Sequence, residues 1–123
     1  MEKYMFDIIT QEDVQGRIPF QNEWEHLRDR IGYAMVSAKV TPGIELVSKE
    51  AFERFQHLLA TLPEKAQLVS QLFTKSMWAW DEMGEMLVLS QELMEYGRIE
   101  KQAVLLAGED FIALCSPETA KKY

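Results

Sequence analysis

Between Ser76 and Gly97 the chain reads SMWAWDEMGEMLVLSQELMEYG, with five carboxylates, four methionines, two tryptophans and no lysine or arginine. Placed on a helical wheel, Asp81, Glu85 and Glu92 fall within about 40° of one another, flanked by Trp78, Glu82, Leu89 and Tyr96. The opposite side carries Trp80, Met83, Leu87 and Met94. Uncompensated carboxylates on one face repel one another unless a cationic partner relieves them. Trp78 and Trp80 are two residues apart and point about 200° from each other on a helix, which leaves one of them near the surface. A tryptophan there is the kind of anchor that dominates binding energy. The segment is therefore expected to carry a partner-binding site of Trp78, Asp81, Glu82, Glu85, Glu92 and Tyr96.

Other chemistry is weakly supported. Glu82-x-x-Glu85 and Glu92-x-x-Glu95 are loosely similar to the paired acidic motifs with which all-α nucleotide pyrophosphohydrolases hold magnesium. They lie in one segment, however, and lack the doubled glutamate and closing aspartate of those enzymes. A metal-dependent all-α hydrolase using Asp81, Glu82, Glu85 and Glu92 is accordingly an alternative. Glu23-x-x-His26 has the spacing of one half of a helical di-iron site, but no second pair exists, since Glu53 and His57 are four apart. His26 is expected at the surface. The sequence contains no G-x-S-x-G, Gly-rich phosphate loop, H-E-x-x-H or C-x-x-C motif. No metal or cofactor is expected, and the balance leans away from an enzyme.

The elements that would position these residues read as helices. Glycine is scarce and apolar residues recur at three- and four-residue spacings almost throughout, the pattern of an all-α bundle of four or five helices in one domain over residues 1–123. The first nine residues fit a helical or extended arm, and Gly16 to Phe20 a loop, because the residue before a proline avoids helical geometry. Asn22, with Glu25 three positions on, resembles a capping box opening a helix over residues 23–39, whose buried face would be Trp24, Leu27, Ile31, Ala34 and Ala38. A turn follows at Thr41 to Gly43. Ser48 caps a second helix over residues 49–60 with Phe52, Phe55 and Leu59 inward. Pro63 opens a long helix over about residues 63–96, roughly 50 Å if unbroken. Gly97 suits a left-handed cap, and a short helix over residues 99–107 ends at Gly108. Residues 109–115 read as helical or extended, and Ser116 with Pro117 starts a last turn. No internal repeat is evident.

Composition bounds the rest. A chain of 123 residues, 47% apolar and 27% charged, can build its own core. The single cysteine, Cys115, excludes an internal disulfide and points to a reducing, cytoplasmic setting, with the thiol as a small buried hydrophobe. No stretch approaches the length needed to span a bilayer. The net charge of −7 is concentrated after Ser76, and no basic cluster exceeds a pair of neighbouring residues, so direct nucleic-acid binding is not expected. The leading expectation is a non-enzymatic, acidic protein-binding module, for instance a phage anti-defence or toxin-neutralising inhibitor that covers a basic groove of its target. Its partner would be a protein with a basic surface. A structural subunit, or a homodimer through the long helix, is the other alternative.

Overall fold

The apolar runs that end the chain, Val104 to Ala107 and Ile112 to Cys115, are strands in the computed structural model, which describes residues 1–10, 15–61, 64 and 75–123. Their residues alternate between two hydrophobic clusters. Ala103, Leu105, Ala107, Ile112 and Leu114 face the main core, whereas Val104, Leu106, Ala113 and Cys115 face a smaller cluster with Val40 and Ala120. A strand buried on both sides shows no polar alternation, and a continuous apolar run of this kind satisfies a helical template equally well.

The expectation of an all-α bundle is therefore overturned. In chain order the elements are β1 (Glu2–Asp7), β2 (Ile9–Thr10), β3 (Gln15–Pro19), a 3-10 helix (Asn22–Arg30), β4 (Tyr33–Val36), β5 (Ile44–Val47), α1 (Lys49–Ala60), β6 (Met77–Trp78), β7 (Met86–Ser90), α2 (Gln91–Tyr96), β8 (Gln102–Ala107), β9 (Ile112–Cys115) and α3 (Pro117–Ala120). The arm at the start is extended. Gly16 to Phe20, read as a loop, is mostly strand, with Pro19 at its end, where a missing amide is tolerated. The helix expected over residues 23–39 stops at Arg30 as 3-10 turns without a side-chain cap, and Ala34 reaches the core from β4 instead. The long helix over residues 63–96 does not exist as such: its described part is β6, a turn, β7 and the short α2, while residues 62–63 and 65–74 lie outside the described residues. The helix expected over residues 99–107 is β8.

Two caps are where the sequence places them. Ser48 Oγ accepts from the Ala51 amide at 3.1 Å at the head of α1, and Ser116 Oγ accepts from the Thr119 amide at 3.1 Å at the head of α3. Gly97, by contrast, takes φ −78, and it is Arg98 that adopts the left-handed conformation, φ 55.

The strands form an antiparallel six-stranded sheet in the order β1-β8-β9-β5-β4-β6 and a three-stranded sheet in the order β2-β3-β7. Exchange β1 with β6, β8 with β4 and β9 with β5, and the larger order reads the same from the other end. The chain is thus two similar halves. Each runs an exchanged strand, small-sheet strand (two in the first half, β2 and β3), helical segment, hairpin and helix, and each lends its first strand to the other, since β1 pairs with β8 and β6 with β4. The sequence carries a trace of this at a fixed offset: Ile44-x-Leu46-x-Ser48 matches Ile112-x-Leu114-x-Ser116, and Asp13-x-x-Gly16 matches Asp81-x-x-Gly84. The matches are too short to stand out without the topology.

Trp24 sits at the centre of the main core, fully buried, with its ring 5.1 Å from Phe6, 5.7 Å from Phe20 and 6.1 Å from Tyr4. It joins β1 to the 3-10 helix and to the strand end at Phe20. Its indole nitrogen has no hydrogen-bond partner among the described residues, so ring volume and edge-to-face contact are what it supplies. Trp24→Ala is expected to cost about 3 to 5 kcal/mol in urea unfolding, and Trp24→Phe clearly less, because the phenylalanine discards an unpaired N–H along with part of the volume. Arg98→Gly is expected to gain about 0.5 to 1 kcal/mol in the same measurement, since the left-handed backbone penalty exceeds the entropic cost of glycine.

Candidate functional site

Among the described residues strand β6 is an edge of the large sheet, pairing only with β4 through Tyr33↔Trp78 and Ala34↔Met77. An edge position leaves Trp78 47% exposed. The indole is nevertheless fixed. It meets the Tyr33 ring edge-on at 5.2 Å and 81°, and Tyr33 stacks flat on Phe52 of α1 at 4.1 Å and 10°. The ladder Trp78, Tyr33, Phe52 spans two strands and a helix.

The chain then crosses from the large sheet to the small one. Ala79 is fully buried, its amide donating to Gly32 O at 2.8 Å and its carbonyl accepting from Val88 N at 2.7 Å. Trp80 bridges to Leu87, and its indole N–H donates to Ile31 O at 2.8 Å. Trp80 is thus the inner tryptophan and Trp78 the outer one, as the sequence led us to expect of the pair, although the cause is a change of sheet and not a helical wheel.

Asp81 to Glu85 form the tight connection between Trp80 and Met86. Asp81 Oδ1 accepts from the amides of Glu85 at 2.9 Å and Met86 at 3.2 Å, and Gly84 takes φ 68, which a side chain would resist. Burial by itself would raise the Asp81 carboxyl, but the amides of Glu85, Met86 and Gly84, together with the charge of Arg17, hold it below the usual carboxylate range. Arg28 clamps this connection from outside. Its guanidinium lies 4.8 Å from the ring centres of both Phe20 and Trp80, donates to Gly84 O at 2.7 Å, and forms a forked pair with Glu25 at 2.8 and 2.9 Å.

Placed on this frame, the six residues expected at one site divide. Asp81 is occupied in holding the turn. Glu82 and Glu85 are exposed beside it, with Met83, which the wheel set on the side opposite the carboxylates, 76% exposed at the tip between them. Trp78 precedes the turn by a few residues. Glu92 and Tyr96 lie on α2, after the Ser90 cap, and Lys75 Nζ stands 5.4 Å from the Tyr96 ring. The single acidic helical face is therefore corrected to a turn and a separate helix. Tyr33 and Arg28, which help fix the outer tryptophan and the turn, were not singled out in the sequence, and Phe52 was expected only as an inward residue of its helix, because each acts here across a contact with no local signature.

No three metal-ligating side chains gather among the described residues. His26 is half-exposed and meets Glu2 at 3.0 Å. Cys115 is fully buried, and burial pushes its thiol up to about 11. The native protein is expected to resist thiol reagents at neutral pH, with full reaction only on unfolding. Because the Asp81 carboxyl is lowered in the fold, its contribution is complete above the ordinary carboxylate range and is lost as pH falls through the folded value. Hydrogen exchange at the Glu85 and Met86 amides should accordingly accelerate, relative to the core, below about pH 4, and Asp81→Ala should show that acceleration already at neutral pH. No protein-family profile matches the chain, and no curated protein sequence resembles it closely enough to lend it an activity.

Proposed function

We propose that this chain is a non-enzymatic protein-binding module whose contact is anchored by Trp78 and bordered by the acidic turn at Glu82 and Glu85. The observation that carries the reading is the outer tryptophan: a large side chain, half in solvent, yet braced by Tyr33 and Phe52. A ring already held in place loses little conformational freedom on binding, which is why rigid aromatic side chains concentrate binding energy. Glu82, Met83 and Glu85 add exposed charge and an adaptable thioether a few residues away. A partner with a basic surface suits that border and the net charge of −7.

An inhibitor that covers a basic groove remains the concrete form of the proposal. One acidic helical face no longer supports it, since the carboxylates are divided between a turn and α2. The contact set narrows to Trp78, Glu82, Met83 and Glu85, with Glu92 and Tyr96 on a neighbouring element.

The experiment compares wild type, Trp78→Ala and the double substitution Glu82→Lys with Glu85→Lys in cross-linking capture from the native host, beside thermal melts of each. Both variants should fold. Trp78→Ala should weaken partner retention by about 2 kcal/mol or more, and the charge reversal should slow association most at low salt. Equal recovery of the same proteins by all three would end the reading. A wild type that sediments as a dimer and becomes monomeric in Trp78→Ala would identify the partner as a second copy.

A further inference from the structure

The segment after α2, the loop before β5 and the C-terminal turn enclose an open cleft of about 1060 Å³. Four cations line it: Arg98 and Lys101 from the segment between α2 and β8, and Lys121 and Lys122 from the turn after α3. None of the four pairs with a described carboxylate. Asp7, Glu100 and Glu118 line the cleft as well, and Asp7 accepts from Gln102 Nε2 at 3.2 Å. In a chain of net charge −7 this is a local excess of positive charge, assembled from segments that are far apart in sequence.

The pseudo-symmetry of the fold provides an internal comparison. The corresponding place in the first half lies between the end of the 3-10 helix, the head of α1 and the loop after β8, a cleft of about 430 Å³. Its lining includes Asp29, Glu45, Glu50, Glu109 and Asp110. Its one arginine, Arg30, is engaged with Gly108 O at 2.8 Å and Glu109 O at 3.3 Å. The two clefts thus differ in net charge although Arg30 and Glu50 stand where Arg98 and Glu118 do, and with Tyr33 and Glu53 at the positions of Lys101 and Lys121 these two lysines are not a requirement of the architecture.

All four side chains are exposed, and the backbone beneath three of them is well defined. Arg98 holds φ 55 where a glycine would sit without strain, and the glycine next to it does not take that role. Lys121 and Lys122 stand on an ordered turn, closed by Lys121 N to Glu118 O at 3.3 Å and Lys122 N to Thr119 O at 3.1 Å. The end of the chain is tied down by Lys3 Nζ, which donates to Tyr123 O and, at 3.5 Å, to Ala120 O, and by Tyr123 Oη, which donates to Lys39 O at 3.3 Å.

We propose that this cleft binds a small polyanion bearing two or more phosphate groups, such as an inorganic polyphosphate or a nucleoside polyphosphate. Four cations on two segments exceed what one monoanion can engage, and an arginine beside lysines is the usual donor set for a phosphate chain. The volume suits a ligand of nucleotide size, with Pro42 and Pro117 as apolar walls. The three carboxylates of the lining, and the acidic surface beyond, disfavour a long polyanion that would have to leave the cleft. This site is separate from the Trp78 surface and does not depend on it.

The test is calorimetric titration of the whole protein with sodium tripolyphosphate and, separately, with ATP, at low and at physiological salt. Saturable binding of one ligand per chain is expected, weakened at least about tenfold in the double variant Arg98→Gly with Lys121→Gln and unchanged in Arg54→Gln on α1. Because Arg98→Gly relieves the backbone, lost binding in a variant that melts no lower than wild type reports the site and not the fold. Equal affinity for the two ligands assigns recognition to the phosphate chain, and tighter binding of ATP adds the nucleoside. Absence of tripolyphosphate and ATP binding at low salt, or binding that survives the double variant, would overturn the proposal. So would tight binding of a DNA oligonucleotide that tripolyphosphate does not displace.

Discussion

Each half of this chain places its first strand in the other half, and most of the remaining structure follows from that exchange. β1 lies against β8 and β6 against β4, so the large sheet is completed only when both halves are present. Trp24 packs between Phe6 of β1 and Phe20, which ties the exchanged strand to the segment that follows β3. The crossing at Ala79, buried and bonded to both sheets, joins β6 to β7 in the same way. The outer position of Trp78 is a by-product of ending a sheet on a borrowed strand. The core is accordingly shared: residues from Phe6 to Leu114 belong to one apolar cluster, and neither half owns enough of it to be a domain.

What the sequence made legible were the features with a local cause. Ser48 and Ser116 cap helices because a hydroxyl three residues ahead of an amide is a short-range arrangement, and α1 spans Lys49–Ala60 as expected, although of its expected inward residues Phe52 is buried and Phe55 is 42% exposed. The burial of Cys115 could be read as well. The strands could not. β8 and β9 are apolar on both faces, β7 holds three successive buried residues, and apart from the β8–β9 hairpin their partners lie dozens of residues away. Pairing at that distance leaves no periodic mark distinct from a helix. The candidate site follows the same division: an exposed tryptophan and a cluster of carboxylates were visible, whereas the ladder through Tyr33 and Phe52, and the Arg28 clamp over Phe20 and Trp80, exist only in the folded chain.

Charge is distributed against the grain of the pseudo-symmetry. Strand order repeats, but one cleft is lined by five carboxylates and one arginine and its counterpart by four cations and three carboxylates, while the acidic turn at residues 81–85 stands apart from both. A duplicated scaffold permits this because strand pairing and capping constrain inward residues and leave the rims of the clefts nearly unconstrained. Differences between halves are therefore more informative about binding than their similarities.

The borrowed strand also bears on how the chain reaches its fold. Glu2 must wait for Ala107 before β1 has a neighbour in the sheet, so on the ribosome the opening strand, with Met5 and Phe6, is made long before its partner. Closing a loop of that length adds little to the equilibrium cost but delays the event, and contacts this remote in sequence are associated with slow folding. During that interval β1 is a free edge of apolar and charged residues, open to pairing with whatever strand is nearest, including β8 of another nascent chain on the same message.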